Sequence, residues 1–307
     1  MNNQYSEPKI SVIIPAYNAA EFIRSTLESV LAQDYQNLEV IVINDGSKDD
    51  TAKIVQSFGP PVQVVSTDNG GVARARNRGI QLAEGDFIAF LDADDLWEPD
   101  KISSQVEAID EDHRLIYTDT HAFGVDNLPY TGISAGQELP SGDIRIQLIE
   151  RNFIATSSVL MDRDICKKIS GFNHNIPVGE DWDYWLRAIS CTGAKYVNKP
   201  LVRYRVQLDS LSRNTGNLIS GSLMVINSAL SSLDIDPRKK RRLRKHTISG
   251  CYCYAATSAR SNSQKLKALK LFATAYLYHP DRAILKEMVK TLIAPTLLKY
   301  IRPDKTA

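Results

Sequence analysis

Four short apolar runs punctuate the first third of the chain: Ile10 to Ile14, Val40 to Ile43, Val62 to Val65 and Phe87 to Leu91. They are nearly continuous in Val, Ile, Leu and Phe. Continuity without polar alternation predicts strands buried on both faces, as in a parallel sheet. Between the runs, Glu21 to Gln33 carries Phe22, Ile23, Thr26, Leu27, Val30 and Leu31 at helical spacing, and Asp50 to Ser57 and Gly71 to Ala83 read as further helices. Alternation of this kind predicts an α/β layer architecture with right-handed crossovers. From Pro99 the pattern loosens into a helix to about Asp110, a strand at Leu115 to Thr118, a Gly- and Pro-bearing stretch from Phe123 to Gly142, and a second cluster of elements over Thr156 to Arg213. After Asn214 the periodicity is helical throughout: Leu218 to Leu233, Pro237 to about Ser261, Gln264 to Tyr278, and a last segment through Leu298.

With 307 residues, 43% hydrophobic and 24% charged, the composition excludes collagenous, disordered and disulfide-scaffold classes. The formal net charge of +1 hides an asymmetry, because residues 215–307 carry 17 Lys and Arg against 5 Asp and Glu, a balance of +12 that leaves −11 on residues 1–214. A basic tail of this kind points to an anionic partner: a membrane surface, nucleic acid, or the acidic body itself. The body in turn suits a cation or a cation-bridged ligand. Cys166, Cys191, Cys251 and Cys253 form no CxxC pair, so reduced thiols in a cytoplasmic compartment are expected. Met1 to Lys9 is polar, without a secretory signal, and no run reaches the roughly 18 apolar residues that span a bilayer. Any membrane association is therefore expected to be peripheral.

In open α/β sheets ligands bind beyond the carboxyl ends of the strands. The residues there are Pro15-Ala16-Tyr17-Asn18, Asn44-Asp45-Gly46-Ser47, Thr67-Asp68-Asn69-Gly70-Gly71 and Asp92-Ala93-Asp94-Asp95. Each turn alone is ordinary turn chemistry; the four together gather acids on one edge of the sheet. Neither G-x-G-x-x-G nor G-x-x-x-x-G-K-[ST] is present, so a phosphate-bearing ligand needs its charge neutralised otherwise. Asp92 and Asp94, i and i+2 at the end of a strand, can direct two carboxylates toward one hard divalent cation, Mg2+ or Mn2+, partly ligated by phosphate oxygens. Zinc is not expected, since the five histidines show no ligand spacing.

The runs SVIIPAYNAAEFIRSTLESVLAQDYQNLEVIVINDGSKDDT and DNGGVARARNRGIQLAEGDFIAFLDADDLWEPDKI resemble the nucleotide-sugar-binding half of family 2 inverting glycosyltransferases of the GT-A fold. The later GEDWDYWLRA and YRVQLDSLS are similar to that family's acceptor-side motifs, so the resemblance runs from about residue 9 to 213. It implies a Rossmann-like, mostly parallel sheet with flanking helices over residues 1–214. Within it, 9–110 is the nucleotide-sugar half and 111–214 the acceptor half, and 215–307 is a basic helical appendage. It further implies that Pro15, Ala16 and Tyr17 border the base, that Asp45 binds the nucleoside and that Arg76 lies near the nucleotide. Asp92 would sit near the ribose and metal, Asp94 would coordinate the metal, and Asp181 would be the catalytic base. The implied reaction carries a sugar from a UDP-sugar to a saccharide or lipid-linked acceptor, in surface polysaccharide or glycolipid biosynthesis. One carboxylate suffices as base when a metal stabilises the departing diphosphate, whereas glycoside hydrolysis usually takes two.

Several features keep a second reading. Glu180 and Asp181 open a predicted helix, where acids also suit the dipole. Arg187, four residues after Asp183, is expected to pair with it on the helix face. Relatives often carry Y-R-x-H where this chain has Tyr204-Arg205-Val206-Gln207, which removes one candidate metal ligand. Arg203, Arg205 and Arg213 read either as diphosphate partners or as solvated strand ends. The run Arg238 to Lys245 reads as a solvated helix face or as a dock for anionic lipid, the latter favoured by Leu292, Ile293, Leu297, Leu298, Tyr300 and Ile301 mixed with Lys290, Lys299 and Arg302. Nucleic acid is not expected, because no aromatic interleaving accompanies the run. Two other functions compete with transfer: nucleotidyl transfer, which lacks a basic signature near Pro15 to Asn18, and a sugar-nucleotide or lipid-binding scaffold without turnover.

Overall fold

The computed structural model describes residues 7–124, 134, 137–206 and 214–293. The described residues fall into two compact units, one within Met1–Leu148, Asn152–Asn175 and Glu180–Leu208, the other within Ile149–Arg151, Ile176–Gly179 and Asp209–Ala307.

The first unit is built on an eight-stranded sheet. In chain order its early elements are β1 (Ile10–Ala16), α1 (Ile23–Leu31), β2 (Leu38–Asp45), α2 (Thr51–Gln56), β3 (Val62–Thr67), α3 (Val72–Leu82), β4 (Phe87–Phe90), β5 (Leu96–Trp97) and α4 (Lys101–Glu107). There follow β6 (His113–Phe123), α5 (Arg145–Glu150), a 3-10 turn at Thr156–Ser158, β7 (Leu160–Asp162), α6 (Arg163–Lys168), α7 (Glu180–Ile189) and β8 (Gly193–Arg205). The strand order is β3-β2-β1-β4-β7-β6-β8-β5. The four strands read from the apolar runs pair in parallel, as do β6 and β8, while β7 runs antiparallel between β4 and β6 and β5 antiparallel beside β8.

The continuous apolar runs are explained by helices on both faces. Val12 and Ile14 of β1 share a core cluster with Ile23, Leu27 and Val30 of α1. Ile13, which points to the opposite face, lies under α3. There Gly79 lets the helix backbone sit flush on the strand, since a Cβ at that position would lie 2.3 Å from Ile13 Cγ2. Strand β6 extends well beyond the expected Leu115 to Thr118, because Asp119, Thr120 and His121 are buried in its pairing with β8. Polar residues inside a ladder leave no hydrophobic signal. The expected stretch Phe123 to Gly142 lies largely outside the described residues.

The second unit is helical: α8 (Thr215–Ser232), α9 (Pro237–Ser261), α10 (Lys265–Tyr278) and α11 (Arg282–Leu292). Asn214, Asp236 and Asp281 cap the starts of α8, α9 and α11 through their side chains, each satisfying backbone N–H groups that the first turn leaves unpaired. Ala256, Phe272, Ala275 and Ile284 form a core among α9, α10 and α11, with Arg260 paired to Glu287 at 2.7 Å. The expected continuation of the last helix to Leu298 lies outside the described residues. No helix among the described residues is long and apolar enough to cross a membrane.

Candidate active site

The carboxyl ends of β1, β2 and β4, the start of α3 and the start of α7 carry the residues singled out above. Pro15 and Ala16 end β1 opposite Ile43 and Asn44 of β2, and Tyr17 beyond them is 52% exposed. Asp45 closes β2 and is buried. Its two carboxylate oxygens accept from the backbone N–H groups of Gly70 and Gly71, each at 2.8 Å, and the Asn69 side chain donates to its carbonyl at 3.1 Å. Gly46 makes that clamp possible, because it adopts a φ of +73° and a Cβ there would meet Asn69 N at 2.8 Å. Asp45 thus fixes the loop that opens α3, the helix that carries Arg76.

Arg76 is 4% exposed and sits between two acids. Nη2 donates to Asp92 Oδ1 and Nη1 to Glu180 Oε1, both at 2.8 Å, and the guanidinium carbon lies 5.2 Å from the centre of the Phe172 ring. Burial opposes its charge, but the carboxylates of Asp92 and Glu180 outweigh burial and hold the guanidinium ionised more firmly than usual.

Aromatic packing brings the acids together. Phe90, two residues before Asp92, lies 5.7 Å from Trp185, and Phe172 stacks on Tyr184 at 3.9 Å. These contacts hold α7 against the end of β4, so Glu180 and Asp181 at its first turn reach the site. Asn77, next to Arg76, locks the turn bearing Phe172: its side chain donates to the Phe172 carbonyl at 2.8 Å and accepts from the Phe172 N–H at 2.6 Å.

Asp181 accepts from the Trp182 N–H at 2.7 Å and from Asn152 Nδ2 at 3.3 Å. Its carboxyl is pushed up to about 6 by burial first and by the charge of Glu180 next, against the opposing pull of Arg76. A carboxylate with that affinity for protons, partly accessible to solvent, is suited to take one from a hydroxyl near neutral pH.

The acidic segment after β4 is braced from behind. The Asp92 N–H donates to Ser157 Oγ at 3.1 Å, and Ser157 Oγ donates to Asp95 Oδ2 at 2.6 Å. Asp95 Oδ1 accepts from the Arg205 N–H at 2.8 Å, while Arg205 Nε donates to the Asp94 carbonyl at 2.8 Å. Burial, then the charges of Asp92 and Asp94, push the Asp95 carboxyl well above the usual carboxylate range. Arg205, one of the arginines with two readings, is therefore tied to this segment, with its guanidinium 4.4 Å from the Phe123 ring and 4.7 Å from that of Phe22. Arg203 lies over Phe123 at 5.0 Å. Gln207 and Arg213 lie outside the described residues.

No group of three or more His, Cys, Asp or Glu among the described residues is arranged to hold a metal. Asp92 and Asp94 are both partly accessible, and as carboxylates they offer the hard oxygens that Mg2+ and Mn2+ prefer. The donor set fits a cation that takes its remaining ligands from phosphate and water.

Glu180, Asn77, Asn152, Ser157 and Asp95 were not singled out as site residues from sequence. Glu180 and Asp95 carried a signal, beside Asp181 and in the strand-end run Asp92-Ala93-Asp94-Asp95; the others act through contacts made across distant segments. Arg187 pairs with Asp183 at 2.7 Å, as the i,i+4 spacing predicts.

Residues 11–170 match the family described as Glycosyl transferase family 2. This chain is a member of that family. The family 2 domain is 35% identical over 213 residues to the Escherichia coli UDP-Glc:alpha-D-GlcNAc-diphosphoundecaprenol beta-1,3-glucosyltransferase WfaP, covering 67% of this chain and 80% of the relative. It is 32% identical over 215 residues to the putative teichuronic acid biosynthesis glycosyltransferase TuaG of Bacillus subtilis, covering 68% and 83%. Against an uncharacterized glycosyltransferase of Rickettsia felis it is 30% identical over 217 residues, 68% of this chain but 36% of that longer protein. Among solved structures, S. aureus TarS 1-349 in complex with UDP-GlcNAc superposes with a TM-score of 0.67 at 18% identity, covering 89% of this chain and 82% of TarS. The mannosyltransferase PcManGT of Pyrobaculum calidifontis, in complex with GDP-Man and Mn2+, superposes with a TM-score of 0.61 at 16% identity, covering 93% and 84%. The expected GT-A glycosyltransferase fold, with helices following it, is the one found.

Proposed function

We propose that this chain is a metal-dependent inverting glycosyltransferase that moves a sugar from a UDP-sugar to an acceptor hydroxyl on a saccharide or lipid-linked glycan, in building a surface polysaccharide or glycolipid. The observation that carries the reading is the bridge Glu180–Arg76–Asp92, which ties the first turn of α7, with Asp181 in it, to the acidic end of β4.

In this reading Asp45, whose carboxylate also holds the Gly70-Gly71 loop in shape, binds the nucleoside, and Pro15, Ala16 and Tyr17 border the base. Asp92 and Asp94 hold Mn2+ or Mg2+, which supplies charge stabilisation to the departing diphosphate. Asp181 takes the proton of the acceptor hydroxyl as its oxygen bonds to the anomeric carbon. The bond from that carbon to the diphosphate oxygen breaks on the opposite face, which inverts the centre. Arg76 keeps Asp92 and Glu180 compensated, so that Asp181 is the carboxylate whose protonation is poised. The names of the relatives support this assignment: WfaP transfers from UDP-Glc to a diphosphoundecaprenol-linked sugar, and TarS was solved with UDP-GlcNAc. The reading extends to work at the cytoplasmic face of a membrane, supported by the basic charge of the C-terminal unit.

Calorimetric titration of UDP and GDP into the wild-type chain and Asp94→Asn, with and without Mn2+, tests the donor site. Metal-dependent UDP binding that the variant loses is the expected result. GDP in place of UDP would replace the donor class, and no binding of either to folded protein would replace the transferase reading with a scaffold.

A further inference from the structure

The first two turns of α9 are electrostatically unusual. Arg238, Lys239, Lys240, Arg241 and Arg242 occupy the end of the helix where the macrodipole is positive and cations are disfavoured. Of the two acids just before that end, Asp234 and Asp236, the second is spent on the backbone N–H groups of Arg238 and Lys239 at 3.0 and 3.1 Å. Among the described residues no carboxylate lies within ion-pair distance of Arg238, Arg241, Arg242 or Lys245. These four recur at i, i+3, i+4 and i+7, one face of the helix. With His279 from the end of α10 they line a cleft of about 270 Å³.

A helix that needed only solubility would intersperse acids among its cations. A cleft lined by four cations without ion-pair partners instead accumulates charge, which a bound anion relieves. We propose that this cleft is a phosphate-binding site, and that its occupant is the phosphate headgroup of anionic lipid at a bilayer surface. The lipid source is favoured by apolar side chains left in solvent on the same unit. Leu277, two residues before His279, is 82% exposed, and Leu285, Val289 and Leu292 are exposed at i, i+4 and i+7 on α11, alternating with Lys286 and Lys290. Of these only Leu277 adjoins the cleft, through His279, while α11 meets Arg260 near the far end of α9. Cations with an exposed leucine beside them, on a unit whose last helix alternates apolar residues and lysines, make an interfacial pattern in which charge holds phosphate and apolar groups meet acyl chains. The inference gives residues to the membrane-face part of the reading above and is independent of the donor site.

The test is flotation of the full chain with vesicles of phosphatidylcholine alone or with one-third phosphatidylglycerol, at two salt concentrations. Arg241→Gln/Arg242→Gln/Lys245→Gln is compared with Lys265→Gln/Lys267→Gln/Lys270→Gln, which removes equal charge from α10 outside the cleft. The cleft residues are exposed and oppose the dipole, so the first variant is expected to fold, and circular dichroism checks it. Binding to the anionic vesicles should be salt-sensitive and fall about 100-fold in the cleft variant, at roughly one tenfold step or less per cation, with a much smaller loss in the α10 variant. Equal losses in the two variants would overturn the site in favour of diffuse charge. No wild-type vesicle binding would overturn the lipid assignment, and saturable binding of pyrophosphate or of a DNA duplex in its place would name the replacement. Because no nucleotide sugar enters this experiment, its failure leaves the donor titration unaffected, and the converse holds.

Discussion

Arg76 and Asp92 meet at 2.8 Å, with the arginine almost fully buried and its other amino group on Glu180. A guanidinium in that position does two things: it makes two carboxylates tolerable in one place, and it pulls down the proton affinity of a third, Asp181.

Arg76→Met is accordingly expected to cost about 3–5 kcal/mol, because it leaves Asp92 and Glu180 without their counter-charge. Arg76→Lys should recover only part of this, since one ammonium cannot span both acids in the fork geometry. Urea denaturation of the three proteins at pH 7.5 checks the ranking. In whichever variant stays folded, the pH at which Asp181 ionises should move up.

Asp181→Asn is expected to lower the transfer rate by about 10²–10⁴-fold while leaving nucleotide binding intact, the size typical of losing a positioned general base. In the wild-type chain kcat/KM should fall as pH drops below about 6, where Asp181 becomes protonated. A rate–pH profile with a nucleotide sugar, paired with nucleotide titration, separates the two effects.

The same residue should carry a stability cost. A carboxyl whose folded-state proton affinity is raised destabilises the fold when ionised, and the penalty grows from about pH 4 to about pH 6 and is full above that. Asp181→Asn should therefore be more stable than wild type by about 1–2 kcal/mol at pH 8, after discounting for partial exposure, and by less at pH 5. Thermal melts at the two pH values measure the difference.

Ser157→Ala removes one oxygen that accepts from the Asp92 N–H and donates to buried Asp95. The expected cost is about 1–3 kcal/mol for stranding a buried polar group. A loss of metal-dependent UDP affinity should accompany it, because the segment bearing Asp92 and Asp94 loses its brace. Ser157→Thr, which restores the hydroxyl, should recover affinity more than stability. Denaturation and calorimetry together report both.

Gly79→Ala tests the helix-to-sheet seam away from the chemistry. With Ile13 Cγ2 only 2.3 Å from the new Cβ, overpacking should cost about 1–3 kcal/mol. Nucleotide affinity per folded molecule should stay unchanged.

Much of the parallel part of the sheet was legible in the chain. Continuous apolar runs such as Ile10 to Ile14 and Val40 to Ile43 encode burial on both faces, and local periodicity places α1 and α3 to within about two residues. The acids at the strand ends follow from that order, because a parallel sheet puts every carboxyl end on one edge. What the chain could not display was β6 beyond Thr118, where Asp119 to His121 are polar yet buried, and the three-residue antiparallel β7, too short for any period.

The residues around the acids divide in the same way. Asp45, Asp92, Asp94 and Asp181 stand in recognisable local patterns, so sequence alone determines that they exist and on which element each sits. That Arg76 meets both Asp92 and Glu180, that Asn77 locks the Phe172 turn, and that Ser157 braces Asp95 was decided only in three dimensions. The physical reason is range. Strand and helix formation depend on neighbours a few positions apart, whereas a buried charge must find its partner wherever packing delivers one, 104 residues away for Arg76 and Glu180 and 110 for Asp95 and Arg205.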